Sequence, residues 1–289
     1  MILIVDSGST KSDWIAVDKD GNQLLEKVRT KGLNPAILPE KKLKKIIKKN
    51  EDLKNNRDKV THVFFYGAGC GTQKPVETLR GVLQDFFKNA HVEVNEDTMA
   101  AVYACINTPD EAAVVCILGT GSNCSYYDGE NLHQDVVSLG YTLMDDASGN
   151  YYGKQLIRDY YFNNMPENVK VAFGSKYNMD ADYIKYNLYK QPNPNAYLAN
   201  FAEFMFLHKD SDYTINLIKE GIRLFAKNMI FQYKDHLDKV PVHFAGSIAF
   251  FAQNEIKEVA EEMGFTVGNF ERRPIEGLVG YHTKNLKVD

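Results

Sequence analysis

The sequence has few cysteines and no strong excess of charge of either sign. No two of the four cysteines, Cys70, Cys105, Cys116 and Cys124, form a Cys-x-x-Cys pair. At least two lie in apolar runs, where a thiol acts as a small hydrophobic side chain, so we expect no zinc or iron–sulfur site within one chain. The formal net charge of -4 lacks the positive excess that is typical of nucleic-acid binding. We therefore expect a small-molecule ligand and no nucleic-acid partner.

Long hydrophobic runs are missing as well. No apolar run approaches the roughly 20 residues that a membrane span requires. The first motif begins almost at residue 1, so we also expect no signal peptide. These features favour a cytoplasmic protein with no membrane partner. At 289 residues, 44% of them hydrophobic, the chain is long enough for one large or two medium domains.

The first motif is Asp6-Ser7-Gly8-Ser9-Thr10-Lys11-Ser12-Asp13, which lies between an apolar run and a β-prone run. This pattern predicts a hairpin whose tip offers backbone N–H groups to a phosphate. Gly8 permits close approach of a ligand, and further hydroxyl donors come from Ser7, Ser9, Thr10 and Ser12. Asp6, taken as the last residue of the first strand, would point to the same place and hold Mg²⁺, in part through water. An ordinary hairpin with a Ser/Gly turn is the alternative.

A second copy of this pattern follows later in the chain. The apolar run that ends at Leu118 leads into Gly119-Thr120-Gly121-Ser122-Asn123, and Cys124-Ser125-Tyr126-Tyr127 returns as a strand. Both copies then meet an Asp-Gly turn. Repetition of the whole unit indicates an internal duplication, and two facing hairpins can hold a polyphosphate.

The remainder of the chain indicates an α/β fold. Short apolar strands alternate with longer helical segments, which predicts largely parallel sheets that the hairpins extend. We place an N-terminal lobe at 1–108, joined by a C-terminal helix at 274–289, and a C-terminal lobe at 109–273. A lysine-rich helix is predicted from Pro39 to Asn55, with a solvated face favoured over a membrane or RNA surface. The Tyr-rich segment from Tyr151 to Tyr197 is predicted as a helical insertion, and a homodimer contact there stays open.

Three acidic residues are candidates for chemistry. Asp97 is predicted to follow the strand His91 to Val94 and to open a helix, so its carboxylate points into the crevice at the strand ends. A kinase that acts on a hydroxyl needs one such carboxylate to orient the acceptor and take its proton; an N-cap is the structural alternative. In the pair Asp145-Asp146, one carboxylate would bind sugar hydroxyls and the other would cap the next helix. Two solvated loop aspartates are the alternative.

Two weaker patterns add candidate ligand contacts. Asn34 in Gly-Leu-Asn-Pro carries donors and acceptors suited to a sugar or its acetamide, although Asn-Pro is also a common turn. Gly246-Ser247 ends a predicted strand just before a helix. Beside two phosphate hairpins it is the candidate wall for a nucleoside.

Together these motifs resemble the actin/hexokinase/Hsp70 superfamily of duplicated ATPase domains. Within it they resemble the N-acetylglucosamine kinase branch, grouped with BadF/BadG/BcrA/BcrD-type ATPases, over nearly the whole chain. The resemblance implies two ribonuclease H-like (actin-like ATPase) domains with an interdomain cleft that holds ATP and closes on the sugar. The implied ATP contacts are Ser9, Thr10, Lys11, Gly119, Thr120, Gly121, Ser122, Gly246 and Ser247. The implied sugar contacts are Asn34, Asp97, Asn123, Gly140, Tyr141 and Asp146.

The implied activity is an ATP- and Mg²⁺-dependent amino-sugar kinase, with N-acetylglucosamine as the first candidate substrate and Asp97 activating its 6-hydroxyl. One departure concerns the sugar segment, where Asp145-Asp146-Ala147 replaces the family's Gly-Asp-Glu. The register of Asp146 and the identity of the amino sugar therefore stay open. Two other functions also stay open. One is an ATPase that drives a partner, like the activators of 2-hydroxyacyl-CoA dehydratases. The other is a non-catalytic sugar or muropeptide sensor.

Overall fold

A computed structural model describes residues 1–8 and 11–285 of the chain. These residues divide into two compact units. Unit 1 comprises Met1–Pro109 and the segment from Arg273 onward, and unit 2 comprises Asp110–Arg272. None of the described helices is long and apolar enough to cross a membrane.

The secondary structure follows a repeating order along the chain. The strands are β1 (Ile2–Ser7), β2 (Lys11–Val17), β3 (Val28–Lys31), β4 (His62–Gly67), β5 (His91–Glu96), β6 (Ala113–Leu118), β7 (Ser122–Tyr127), β8 (Leu132–His133), β9 (Val242–Ala245) and β10 (Val267–Glu271). The helices are α1 (Glu40–Lys48), α2 (Glu51–Asn56), α3 (Gln73–Phe86), α4 (Asp97–Cys105), α5 (Gly149–Tyr161), α6 (Glu167–Lys176), α7 (Ala181–Tyr189), α8 (Pro194–Ala199), α9 (Glu203–Leu207), α10 (Asp212–Asn228), α11 (Ser247–Phe251), α12 (Gln253–Met263) and α13 (Pro274–Asn285).

The two units have the same sheet topology. Unit 1 has the strand order β3-β2-β1-β4-β5, and unit 2 has the matching order β8-β7-β6-β9-β10. In each sheet three antiparallel strands come first, and two strands parallel to the first strand then extend the sheet. The predicted duplication and the predicted fold class are both confirmed.

The side chains of β1 alternate between the two faces of the unit 1 sheet, and helices cover both faces. Leu3 and Val5 pack with the apolar side chains of α1 and α3, whereas Ile2 and Ile4 pack with those of α4 and α13. Successive strand residues point to opposite faces, so a continuous apolar run is what a sheet buried on both sides requires. Burial of both faces leaves the strand ends as the place for polar chemistry.

The helix α13 is fixed to unit 1 by a buried polar contact. The Tyr66 hydroxyl lies 2.7 Å from Nε2 of His282, and the His282 ring stacks on Phe64 with ring centres 3.7 Å apart. Burial lowers the pKa of His282 to about 4, so the ring is neutral at pH 7. A neutral imidazole packs in this apolar setting without the cost of a buried charge.

In unit 2 a single core lies between β6, β9 and the surrounding helices. Cys116, Tyr152, Phe225 and Phe244 are all fully buried there. Much of the long segment between β8 and β9 forms helices, and Tyr152 belongs to the core. The Tyr-rich segment therefore contributes to folding as well as to the surface.

Three details differ from the sequence predictions. The helix predicted from Pro39 to Asn55 is two helices, because the Asn50 side chain accepts a hydrogen bond from the Leu53 N–H and caps α2. The strand that contains Asp6 continues to Ser7. The edge strands β3, β8 and β10 had not been predicted, since short edge strands carry little apolar periodicity.

Two glycines give a matched test of this packing. A Cβ on Gly153 in α5 would overlap the Leu198 carbonyl of α8, whereas a Cβ on Gly81 in α3 would meet nothing within 4 Å. We expect Gly153→Ala to lower the free energy of unfolding by about 2–3 kcal/mol through overpacking. Gly81→Ala should raise it by about 0.5–1 kcal/mol. Urea unfolding measures both, and equal effects of the two changes would contradict the close α5–α8 crossing.

Candidate active site

Unit 1 brings three carboxylates close together at the end of its sheet. Asp6 on β1 lies opposite Asp13 on β2, and Asp97 begins α4 directly after β5. Burial raises the pKa of Asp6 to about 6, with further contributions from the negative charges of Asp13 and Asp97. Asp6 therefore holds a proton more tightly than an ordinary aspartate does.

Asp13 differs from Asp6 because cations neutralise it. Its carboxylate lies 2.7 Å from Nε of Arg29, 3.2 Å from Nζ of Lys27 and 3.8 Å from Nζ of Lys11. Burial acts to raise the pKa of Asp13, but the hydrogen bonds from Arg29 and Lys27 outweigh it and lower this pKa below the usual value. The predicted phosphate contact Lys11 is exposed and leans towards this carboxylate. No local pattern in the sequence marks Asp13, and no role had been predicted for it.

Asp97 is the first residue of α4, and Glu96 occupies the N-cap position. The Asp97 carboxylate accepts hydrogen bonds from its own backbone N–H and from that of Thr98, which lower its pKa. Loss of hydration in the surrounding protein has the larger effect, so the pKa of Asp97 is raised, although the residue stays accessible to solvent. A raised pKa favours proton uptake, as a general base requires.

Two of the predicted hydroxyl donors of the first motif, Ser7 and Ser12, form hydrogen bonds within the protein. The hydroxyls of Ser7 and Ser12 lie 2.6 Å apart, both residues are buried, and the Ser7 oxygen accepts a hydrogen bond from the Leu33 N–H. The expectation that these two serines donate to phosphate is therefore wrong: they hold the hairpin together. Ser9 and Thr10 lie outside the described residues.

Asn34 lies beside the turn that follows β4. Its Oδ1 accepts a hydrogen bond from the Ala36 N–H, as in an ordinary Asn-Pro turn. A Cβ on Gly69, whose φ is +82°, would overlap the Asn34 amide, and a Cβ on Gly71 would lie 3.2 Å from Oε2 of Glu96. The glycine-rich turn therefore lies against both Asn34 and the residue before Asp97.

In unit 2 the loop Gly119-Thr120-Gly121 is held by the start of α5. The carbonyl of Gly119 accepts from the Gly149 N–H at 2.7 Å, and that of Thr120 accepts from the Asn150 N–H at 3.1 Å. In a trans peptide the N–H points away from the preceding carbonyl. The N–H groups of Thr120 and Gly121 therefore face away from α5, and neither has a hydrogen-bond acceptor in the described part of the chain. Two adjacent N–H groups of this kind can bind an anion.

Asn150 links this loop to the acidic pair. It is almost fully buried, and its Nδ2 donates to the Thr120 carbonyl at 2.6 Å and to Oδ2 of Asp145 at 2.8 Å. Asp145 has a φ of +71°, and its Oδ2 would lie 2.8 Å from a Cβ on Gly121. Only glycine at position 121 leaves room for this carboxylate. Asn150 had not been predicted as a site residue, because no local pattern in the sequence marks it.

Asp146 is directed differently from Asp145. Its Oδ2 accepts a hydrogen bond from Nδ2 of the exposed Asn228 at 2.9 Å. Neither aspartate caps α5, because the cap is Ser148, whose hydroxyl accepts from the Tyr151 N–H; that expectation is wrong. Both aspartates line a cavity of about 200 Å³ in unit 2 together with Ser122.

The other predicted contacts of unit 2 lie at different distances from this loop. Gly246 has a φ of +107°, and a Cβ there would overlap the Leu118 carbonyl and lie 3.3 Å from the Gly119 nitrogen. The structure thus brings Gly246 and the exposed Ser247 next to the loop. Asn123 lies on β7 opposite Ile117. Gly140, with a φ of +82°, starts the turn that carries Tyr141.

Magnesium was expected at Asp6. The described residues contain no group of three or more His, Cys, Asp or Glu side chains arranged to hold a metal. Mg²⁺ commonly uses one or two carboxylates and fills its other positions with water and phosphate oxygens. A half-buried Asp6 that keeps its proton up to about pH 6 fits this role, since a cation would replace the proton.

The two matching units have the fold of duplicated actin-like ATPase domains, which are ribonuclease H-like. A scan against protein-family models found no match, and neither did a search of curated proteins. Among solved structures, the chain is similar to a candidate N-acetylglucosamine kinase of Porphyromonas gingivalis. The identity is 33% over 99% of both chains, and the TM-score is 0.88. The chain therefore belongs to the N-acetylglucosamine kinase family of the actin/hexokinase/Hsp70 superfamily, as the motifs had indicated.

More distant structures share the fold. A candidate N-acetylglucosamine kinase of Chromobacterium violaceum is 13% identical, with a TM-score of 0.71 over 97% of this chain and 98% of that one. A ROK-family glucokinase of Streptomyces griseus, solved with glucose and AMPPNP, is 14% identical, with a TM-score of 0.58 over 97% of each chain.

Asn150 and Asn228 give a matched test of the amide contacts to the acidic pair. Both donate to an aspartate, but Asn150 is buried and Asn228 is exposed. We expect Asn150→Ala to lower the free energy of unfolding by about 2–3 kcal/mol, because a buried carbonyl and a carboxylate lose their donor. Asn228→Ala should change it by less than about 0.5 kcal/mol. Urea unfolding measures the free energy of unfolding of both variants. Equal losses of stability would contradict the proposed role of burial.

The raised pKa of Asp6 predicts a pH-dependent stability. Between the ordinary value of 3.8 and about 6 the folded protein binds more protons at Asp6 than the unfolded chain does. The contribution of Asp6 to the free energy of unfolding therefore falls as pH rises through this interval. We expect Asp6→Asn to match the wild type below pH 4 and to be more stable by up to about 3 kcal/mol above pH 6.

Urea unfolding from pH 4 to 8 in the absence of divalent cations measures this difference. The Asp238→Asn variant, which removes an exposed carboxylate, is the control for the loss of one negative charge. A stability difference between Asp6→Asn and the wild type that does not change with pH would contradict the assigned shift.

Proposed function

We propose that the protein is an ATP-dependent sugar kinase that transfers the γ-phosphate to the 6-hydroxyl of an amino sugar, with N-acetylglucosamine as the first candidate. The observation that carries the proposal is the solvent-accessible carboxylate of Asp97, with a raised pKa, beside the half-buried Asp6. The relative from Porphyromonas gingivalis, itself described as a candidate N-acetylglucosamine kinase, supports the substrate class. The glucokinase complex with glucose and AMPPNP supports nucleotide use.

Asp97 is the general base in this proposal. Its carboxylate accepts the hydrogen bond of the acceptor hydroxyl, orients the oxygen towards the phosphorus and takes its proton as the new bond forms. The two backbone N–H groups that bond to Asp97 hold its side chain in place. Phosphoryl transfer depends mainly on position and charge, so one oriented carboxylate meets the need for a base.

Asp6 would hold Mg²⁺, in part through water. The cation would neutralise charge on the phosphate oxygens during transfer. Asp13 does not compete for it, because Arg29 and Lys27 already neutralise that carboxylate. In the same unit, Ser9, Thr10 and Lys11 are proposed to contact phosphate and Asn34 the sugar.

In unit 2 the proposed phosphate donors are the backbone N–H groups of Thr120 and Gly121, together with Gly119 and Ser122. Gly246 and Ser247, next to this loop, are proposed to contact the adenosine. Asp146 remains a proposed sugar contact with Asn123, Gly140 and Tyr141. We add Asp145, because Asn150 holds its carboxylate against the phosphate loop.

The proposal is tested by Asp97→Asn. We expect this variant to keep its fold and to lose about 10²–10⁴ in kcat for N-acetylglucosamine, because an amide cannot take the proton. ADP release in a coupled assay with Mg²⁺ and ATP measures turnover. The control is Asp52→Asn, which removes an exposed carboxylate from the first turn of another helix in the same unit. Near-wild-type turnover in Asp97→Asn would remove Asp97 from the mechanism.

The substrate is identified by the same assay with N-acetylglucosamine, N-acetylmannosamine, glucosamine and muramic acid derivatives. Turnover of one amino sugar well above the others supports the kinase and names its acceptor. Sugar binding without turnover of any of them would instead indicate a sensor. Visible-range iron–sulfur absorbance of the purified protein would instead indicate an activator-type ATPase.

A further inference from the structure

Five cations line one concave pocket on unit 1. None of them takes part in the proposed phosphoryl transfer, although Arg29 also pairs with Asp13 in the candidate site. This basic pocket is formed by Arg29, Lys31, Lys42, Lys45 and Lys49 and encloses about 510 Å³. Its volume falls in the range of pockets that hold small molecules. No carboxylate lines it.

The positions of these side chains on α1 and β3 explain why they face the same pocket. Leu43 and Ile47 of α1 are fully buried in the core, which turns the opposite helix face outward. Lys42, Lys45 and Lys49 share that face because they are spaced three and four residues apart. Arg29 and Lys31 lie two residues apart on the edge strand β3 and point to one side of it.

The charges of the basic pocket are largely uncompensated. Arg29 pairs with Asp13, but Lys31, Lys42, Lys45 and Lys49 have no ion pair within 4 Å among residues 1–8 and 11–285. By contrast, Lys44 on another face of α1 bonds to Glu40 and Asp85. Uncompensated like charges in a concavity repel one another and raise the local concentration of anions.

Two general effects favour lysine at surface positions, but they explain only part of this arrangement. The helix dipole favours Lys45 in the last turn of α1, and charge on an edge strand protects it from pairing with other chains. Neither effect requires the strand cations and the helix cations to face one cavity.

We propose that the basic pocket binds a small anion with several negative charges, of the polyphosphate or phosphorylated-metabolite class. A small ligand fits better than single-stranded nucleic acid, because Ile46 is the apolar side chain in the lining and no aromatic ring is available for base stacking. The proposal is independent of the sugar-kinase activity, since none of its residues takes part in the proposed transfer.

The test is calorimetric titration of the full chain with inorganic tripolyphosphate at low salt. The variant Lys42→Gln/Lys45→Gln/Lys49→Gln removes three charges from the basic pocket. The matched control Lys41→Gln/Lys48→Gln/Lys88→Gln removes three exposed charges from the same unit outside it. Circular dichroism and urea unfolding establish that both variants fold.

We expect the pocket variant to bind tripolyphosphate about tenfold more weakly or worse at one site, and the control to bind like the wild type. Parallel titrations with N-acetylglucosamine 6-phosphate and with inorganic phosphate distinguish a phosphorylated metabolite from free phosphate as the source of the anion. The compound that binds more tightly identifies the source. Equal affinity in both variants would overturn the proposal. Pocket-dependent binding of single-stranded RNA without binding of tripolyphosphate would overturn the small-ligand assignment.

Discussion

The loss of hydration at Asp6 and Asp97, close to the neutralised Asp13, is the constraint on which the candidate site depends. Strand register places Asp6 opposite Asp13, and the order of the parallel strands brings Asp97 to the same end of the sheet. Arg29 and Lys27 neutralise Asp13, whereas loss of hydration raises the pKa values of Asp6 and Asp97, with a smaller contribution at Asp6 from the neighbouring negative charges. In the function that we propose, Asp6 would hold a cation and Asp97 would take a proton, the two tasks that phosphoryl transfer to a hydroxyl requires.

Unit 2 uses the same topology with different groups at its strand ends. Its hairpin loop carries no carboxylate. The start of α5 bonds only to the carbonyl groups of this loop, so the N–H groups of the loop are not used by α5. Asn150 then joins the loop to Asp145 in one buried network. Since buried polar networks are rigid when fully bonded, the loop at 119–121 and the acidic segment should keep a constant relative position. Duplication has thus produced two similar scaffolds whose strand ends carry unlike groups.

The features predicted well are those that local pattern controls. Alternating and continuous apolar runs indicated the strands, and the Gly119-Thr120-Gly121 loop and Asp97 were predicted because strand ends in an α/β sheet are recognisable locally. The errors have a common origin. Ser7 and Ser12 were expected to donate to a ligand, but strand register places them opposite each other, where they bond internally. Asn150 and Asp13 were missed because their partners are distant in the chain or lie on a neighbouring strand.

By itself the sequence determined the fold class and the duplication, because apolar periodicity and glycine-hydroxyl turns act over a few residues. Tertiary structure alone decided which carboxylates are neutralised, which aspartate lies against the loop at 119–121 and which lysines face one cavity. Those outcomes depend on strand register and on how closely helices approach the sheet. Both are set by packing of the whole core, and no short stretch of residues records them.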